Sequence, residues 1–288
     1  MLSEQPHARR YNQSPPSLVP MHPDYQQIAE LFGFTVDEDR LPIETLEEVP
    51  TGDADDTTLG DESMRQGDFR AAAAHYLRAL RRSEGDGGEA HLGLAVAYEC
   101  LEQAPQAARQ YLRALEVRDD QAEPHLGLGD IYRRNGKARK GLQEVLKAIE
   151  LEPQNSYLHL KMAEALRALG YRTKAVSAVQ RAVLLKPDDS FYHYWLGDLL
   201  IEMKRDEEAL ASLRAAIELS PGDDHLYARA AIAFWRTGRR VEAIKSVRLA
   251  SDLDASKLVY HGLLERMLRE TGHQEEADLE LPKVQKMD

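Results

Sequence analysis

The chain has a single cysteine, Cys100, among 288 residues. That excludes an intramolecular disulfide and any zinc site built from several thiolates, and it suits a reducing compartment, so the cytoplasm is the expected location. Aromatic residues make up only 7% of the sequence, too few for the strands of a sheet sandwich. No stretch reaches about 18 consecutive apolar residues, and residues 1–23 carry Arg9 and Arg10 without the apolar run of a secretion signal. Neither a membrane span nor a leader is expected. Catalytic signatures are missing too: there is no G-x-x-x-x-G-K-[ST], no H-E-x-x-H and no G-x-S-x-G, which leaves no recognisable phosphate cradle, zinc-protease helix or nucleophile elbow. The reading is a protein without enzymatic activity, cofactor or metal.

Charge is abundant but uneven. The net charge is -12, yet residues 1–62 hold 14 acidic against 3 basic side chains, and the remainder holds 35 against 34. A near-neutral body without a continuous basic stripe excludes nucleic acid as the expected ligand. Residues 1–23, rich in proline, serine and glutamine, read as disordered. Residues 24–53 read as an acidic linker with a short helix, because Tyr25, Ile28, Leu31 and Phe32 fall at helical spacing.

What the rest of the chain has is a period. Pro153, Pro187 and Pro221 stand 34 residues apart, each just after an apolar helical run, where proline disrupts no hydrogen bond. The same spacing aligns Ala107, Gly141, Ala175, Ala209, Ala243 and Ala277, then Ala114, Ala148, Ala182, Ala216 and Ala250. These columns lie seven residues apart, about two helical turns, and mark a seam where helices approach closely. A third small-residue column, Ala95, Gly129, Ala163, Gly197 and Ala231, belongs to the preceding helix. Between the two helices, Gly136, Gly170, Gly238 and Gly272 share a phase, as a helix stop requires. Each unit is therefore helix, turn, helix.

This arrangement resembles the tetratricopeptide repeat, a 34-residue helical hairpin with small residues on both helices and proline at its close. Tyr98, Tyr132, Leu166, Leu200, Phe234 and Leu268 fill the family's large apolar place late in the first helix, while His91, His125, His159, His193, Tyr227 and His261 replace its frequent tryptophan. Histidines on successive helices, about 8 to 10 Å apart, cannot readily converge on one zinc ion, so the column reads as packing. The first unit is one residue out of phase, because EGDGGEA after Ser83 carries an extra residue. The resemblance implies an all-α, right-handed superhelical solenoid: about six repeats over 54–257, then a C-terminal capping hairpin over 258–288, with Pro282 in its second helix.

It also implies a protein-protein interaction scaffold or adaptor, with the first helix of each hairpin lining a concave groove. Residues projected onto that face are Tyr157, Leu160, Glu164 and Arg167 in one hairpin, then Phe191, Tyr194, Trp195, Asp198 and Ile201 in the next, then His225, Ala228, Arg229, Ile232, Trp235 and Arg236. Arg133, Arg134 and Lys161 add basic character. Aromatic and arginine side chains are what binding hot spots favour. The expected ligand is a protein or peptide, extended or helical, with apolar anchors held by Trp195, Trp235, Phe191 and Tyr194 and acidic groups oriented by Arg167, Arg229 and Arg236. Family members that clamp chaperone C-termini use lysine, asparagine and arginine on this face, where this chain has Leu126, Asp130, Leu160 and Glu164 in corresponding places, which argues against a terminal-carboxylate clamp. Two alternatives stay open: an assembly or secretion factor that self-associates at a membrane complex, and an autoinhibited module in which residues 24–53 fold back into the groove.

Overall fold

A computed structural model of the chain describes Leu31, Phe32, residues 55–82 and residues 87–284, with side chains to residue 280. Between Asp56 and Val284 it has fourteen helices paired as seven hairpins: α1 (Asp56–Gln66) with α2 (Phe69–Arg82), α3 (Gly88–Cys100) with α4 (Ala104–Val117), α5 (Ala122–Arg134) with α6 (Ala138–Leu151), α7 (Ser156–Ala168) with α8 (Arg172–Leu185), α9 (Ser190–Glu202) with α10 (Asp206–Leu219), α11 (Asp224–Arg236) with α12 (Arg240–Leu253), and α13 (Leu258–Glu270) with α14 (Gln274–Val284). No strand occurs among the described residues, and no helix among them is long and apolar enough to cross a membrane. The fold is an all-α helical-repeat solenoid. Leu31 and Phe32 are helical; the rest of residues 1–54 lies outside the described residues.

Local chemistry repeats with the hairpins. Asn155, Asp189 and Asp223, each two residues after a column proline, accept the backbone N–H of Tyr157, Phe191 and His225, satisfying a donor that the helix start would otherwise leave orphaned. The turn inside a hairpin passes through the left-handed region, usually on glycine, but Glu102 (φ 60°) and Lys204 (φ 58°) hold that conformation at two equivalent positions. The last helix continues through position 282 to Val284, so the proline there does not end it.

The described chain forms two compact bodies that divide between Leu128 and Gly129. In the first, the Tyr76 ring is inserted between Gly60 and Gly93: a Cβ on either would stand 2.6 or 2.4 Å from its ring atoms. Tyr111 packs on Gly127 in the same way. Both phenols donate to carboxylates, Tyr76 to Asp61 at 2.6 Å and Tyr111 to Glu99 at 2.6 Å. Asp56 is buried and faces His75, Arg78 and Arg82, so its charge is compensated where water is scarce.

In the second body, Gly129 and Gly141 let α5 and α6 touch backbone to backbone, and a Cβ on Gly141 would lie 2.7 Å from the Gly129 carbonyl oxygen. The core then runs through Leu160, Val179, Leu199 and Leu213 to Val247 and Leu264. Each such side chain taken from water contributes about 1.5–3 kcal/mol. Residues of α7, α9 and α11 all take part in this core.

Candidate functional site

The second body carries a cleft of about 510 Å³ lined by Arg133, Glu164, Arg167, Ala168 and Trp195. Its residues come from the first helices α5, α7 and α9. The Arg167 guanidinium lies 5.8 Å from the centre of the Trp195 ring, a cation–π distance. Phe191 meets Trp195 edge-on at 6.4 Å. Phe191 is 46% exposed, so its ring is available to a partner beside Trp195; Tyr157, 42% exposed, has the Lys161 ammonium 5.2 Å from its ring centre.

A ladder of alternating charge crosses the same face. Lys161 Nζ lies 2.9 Å from Asp130 and 3.4 Å from Glu164, and Arg133 reaches Glu164 at 3.2 Å and Asp130 at 3.3 Å. Arg167 reaches Glu202 at 3.3 Å and Asp198 at 4.0 Å, while Arg229 Nε binds Asp198 at 3.1 Å. Burial alone would lower the Lys161 pKa, but its hydrogen bond to Asp130 and the nearby Glu164 outweigh that and raise it. Arg229 behaves alike: burial opposes its charge, and Tyr194 with Asp198 more than restores it.

The other projected residues divide in three ways. Leu160 is 1% exposed and belongs to the core. Tyr194 and Ile232 are partly buried against that core, and Asp198 is buried beneath its two arginines. Trp235 lies under Arg240, whose guanidinium is 3.8 Å from the indole centre and donates to the Trp235 carbonyl at 2.6 Å. Arg236 donates to the Ile201 carbonyl at 2.7 Å and reaches Asp206 at 3.3 Å, tying the end of α11 to the turn between α9 and α10. The structure thus brings Arg167, Phe191 and Trp195 together, sets Tyr157 against Lys161, and places Trp235 and Arg236 in contacts of their own. Glu164 is projected onto this face with Arg167; Ala168, which also lines the cleft, is not, although it stands one helical turn after Glu164.

The histidine column has a structural task. Nε2 of His159 and of His193 lie 3.0 and 2.8 Å from the carbonyl oxygens of Pro153 and Pro187, and the Tyr227 hydroxyl donates to Pro221 at 3.0 Å. Among the described residues no group of three His, Cys, Asp or Glu comes together as a metal site.

The tetratricopeptide repeat family model matches residues 57–122, 101–156 and 160–224, more than half of the chain. The chain belongs to the tetratricopeptide repeat family. No curated protein matches it. Among solved structures, MamA 41-end from Desulfovibrio magneticus RS-1 is 23% identical with a TM-score of 0.54, covering 58% of this chain and 94% of that one. YrrB, described as a tetratricopeptide protein with an unusual peptide-binding site, is 21% identical with a TM-score of 0.53, covering 65% and 96%. The Pseudomonas aeruginosa pilF structure is 17% identical with a TM-score of 0.60, covering 69% and 91%. At these identities the likeness is one of tetratricopeptide fold.

Proposed function

We propose that the chain is a non-catalytic protein-interaction scaffold whose α7 and α9 face holds a partner segment with an apolar anchor and acidic groups beside it. The observation that carries this reading is the 510 Å³ cleft where Trp195, with Phe191 against its edge, stands beside Arg133 and Arg167. An aromatic wall buries large area on contact at little entropic cost. Each guanidinium has five N–H donors, more than the bonds to Asp130, Glu164, Asp198 and Glu202 use, so a partner carboxylate can join the ladder without breaking it. Those existing pairs fix the arginines in place and reduce the entropy lost on binding.

The test is capture of partners from the native cell by the full chain and by a Phe191→Ala, Trp195→Ala variant, with folding checked by circular dichroism. Partners held by the full chain and by a Leu184→Ala control, but not by the double variant, are the expected result. Partners retained by the double variant contradict the reading.

A further inference from the structure

The first body has a cleft of its own, with different chemistry. About 310 Å³ in volume, it lies over α1, α3 and the first turn of α5, with Asp61, Glu89 and Glu123 among its walls and Met64, Leu92 and Val96 supplying apolar surface. Among the described residues no basic side chain lines it. We propose that this cleft binds a short basic segment of a partner protein, one apolar side chain flanked by lysines or arginines.

Three features support that occupant. The volume suits one long aliphatic or aromatic side chain, and the apolar lining gives it somewhere to go. The three carboxylates belong to three different helices and are not gathered on a point: among the described residues no group of three acidic, His or Cys side chains comes together to grip a metal ion. Distributed negative charge is matched by cations carried at intervals on a chain, and it repels an acidic segment. Glu89 pairs with Arg118 at 3.5 Å, and the Glu89 side chain is 73% exposed. Such a pair in open water is weak, so a partner cation can share or displace it.

The cleft also has a structural cause. Gly93 and Gly127 hold the register that α7, α9 and α11 give to Lys161, Trp195 and Arg229. Gly93 has to be small because the Tyr76 ring occupies the space a side chain would need. The Tyr76 hydroxyl in turn donates to Asp61 at 2.6 Å, which orients that carboxylate. Burial, then the Asp61 contact, push the phenol pKa far up, so it stays a donor. Where Glu89 and Glu123 stand, α7 and α9 carry Tyr157 and Phe191. One repeat register therefore presents acid in one body and aromatic rings in the other, and the two clefts select different ligands. The proposal does not depend on the Trp195 reading.

The test uses the full chain and two fluorescent peptides, Arg-Arg-Leu-Arg-Arg and Glu-Glu-Leu-Glu-Glu, in anisotropy titrations. The arginine peptide should bind with an affinity that falls as salt rises. Asp61→Asn, Glu89→Gln and Glu123→Gln together should weaken it by about tenfold or more, and Glu89→Lys alone, at an exposed position, should weaken it clearly. Trp195→Ala should leave it unchanged. The proposal is overturned if the acid variants bind the arginine peptide as well as the parent does, if the Trp195→Ala variant binds the glutamate peptide as well as the arginine peptide, or if Trp195→Ala abolishes binding of the arginine peptide. It is overturned equally if sedimentation shows that the acid variants lose a self-association present in the parent, since a second copy would then be the occupant.

Discussion

Nε2 of His193 sits 2.8 Å from the carbonyl oxygen of Pro187, six residues earlier. His159 makes the same contact with Pro153, and Tyr227 with Pro221. Two columns of the repeat are thus one device: proline ends the approach to the first helix, and a ring on that helix holds the proline carbonyl. Because a carbonyl only accepts, the imidazole must carry its proton on Nε2.

His193→Phe should therefore lower stability by about 0.5–1.5 kcal/mol, the net value of one hydrogen bond. His193→Tyr should cost less, since Tyr227 already makes the bond with a hydroxyl. Urea midpoints of the two variants decide this; equal losses would mean that ring packing, not the bond, matters there.

Lys204 and Glu102 occupy the left-handed turn position with φ of 58° and 60°. A side chain in that conformation costs about 1 kcal/mol relative to glycine. Lys204→Gly should raise the unfolding midpoint, and Glu102→Gly likewise, despite the greater freedom each gives the unfolded chain.

Gly141→Ala should do the opposite. Its Cβ would meet the Gly129 carbonyl oxygen at 2.7 Å, and a backbone atom cannot rotate away as a side chain can. An overpacking loss of about 1–3 kcal/mol is expected, read from thermal or urea unfolding.

Stability should also fall in alkali. Burial, then a neighbouring carboxylate, raise the pKa of Tyr76 and Tyr111 well above that of a free phenol, and the same causes push Tyr260 up to about 12. A folded-state pKa above the unfolded one means that the stabilisation is complete below about pH 10 and is lost as pH climbs through the folded value. For Tyr260 that window is about pH 10 to 12. Urea midpoints that decline across it, with tyrosinate absorbance rising on unfolding, are the expected observation.

The period, the hairpins and the seam were legible because helix packing admits only small residues at fixed positions, and Gly141 against Gly129 is the extreme case. The caps Asn155, Asp189 and Asp223 were legible in principle from the P-x-[ND] pattern. The partner of each histidine was not, since it depends on whether a proline precedes it. Without one, His91 turns to Gln110 at 2.7 Å and His261 to Glu280 at 2.7 Å, each nineteen residues on. At the candidate site, Trp195, Phe191 and Arg167 could be grouped by helical projection. Projection could not show that Leu160 turns into the core, that Arg240 of the following helix covers Trp235, or that Asp198 takes both Arg167 and Arg229. Each depends on a neighbouring helix, and a single-helix projection contains none.

The most direct measurement exploits the chain's two tryptophans. In a Trp235→Phe variant, Trp195 is the sole indole, and its emission reports the cleft alone. Adding a captured partner should shift that emission to the blue and shield it from acrylamide, because the ring passes from the cleft wall into an interface. Emission and quenching unchanged at saturating partner would place the contact elsewhere and contradict the cleft as the binding site.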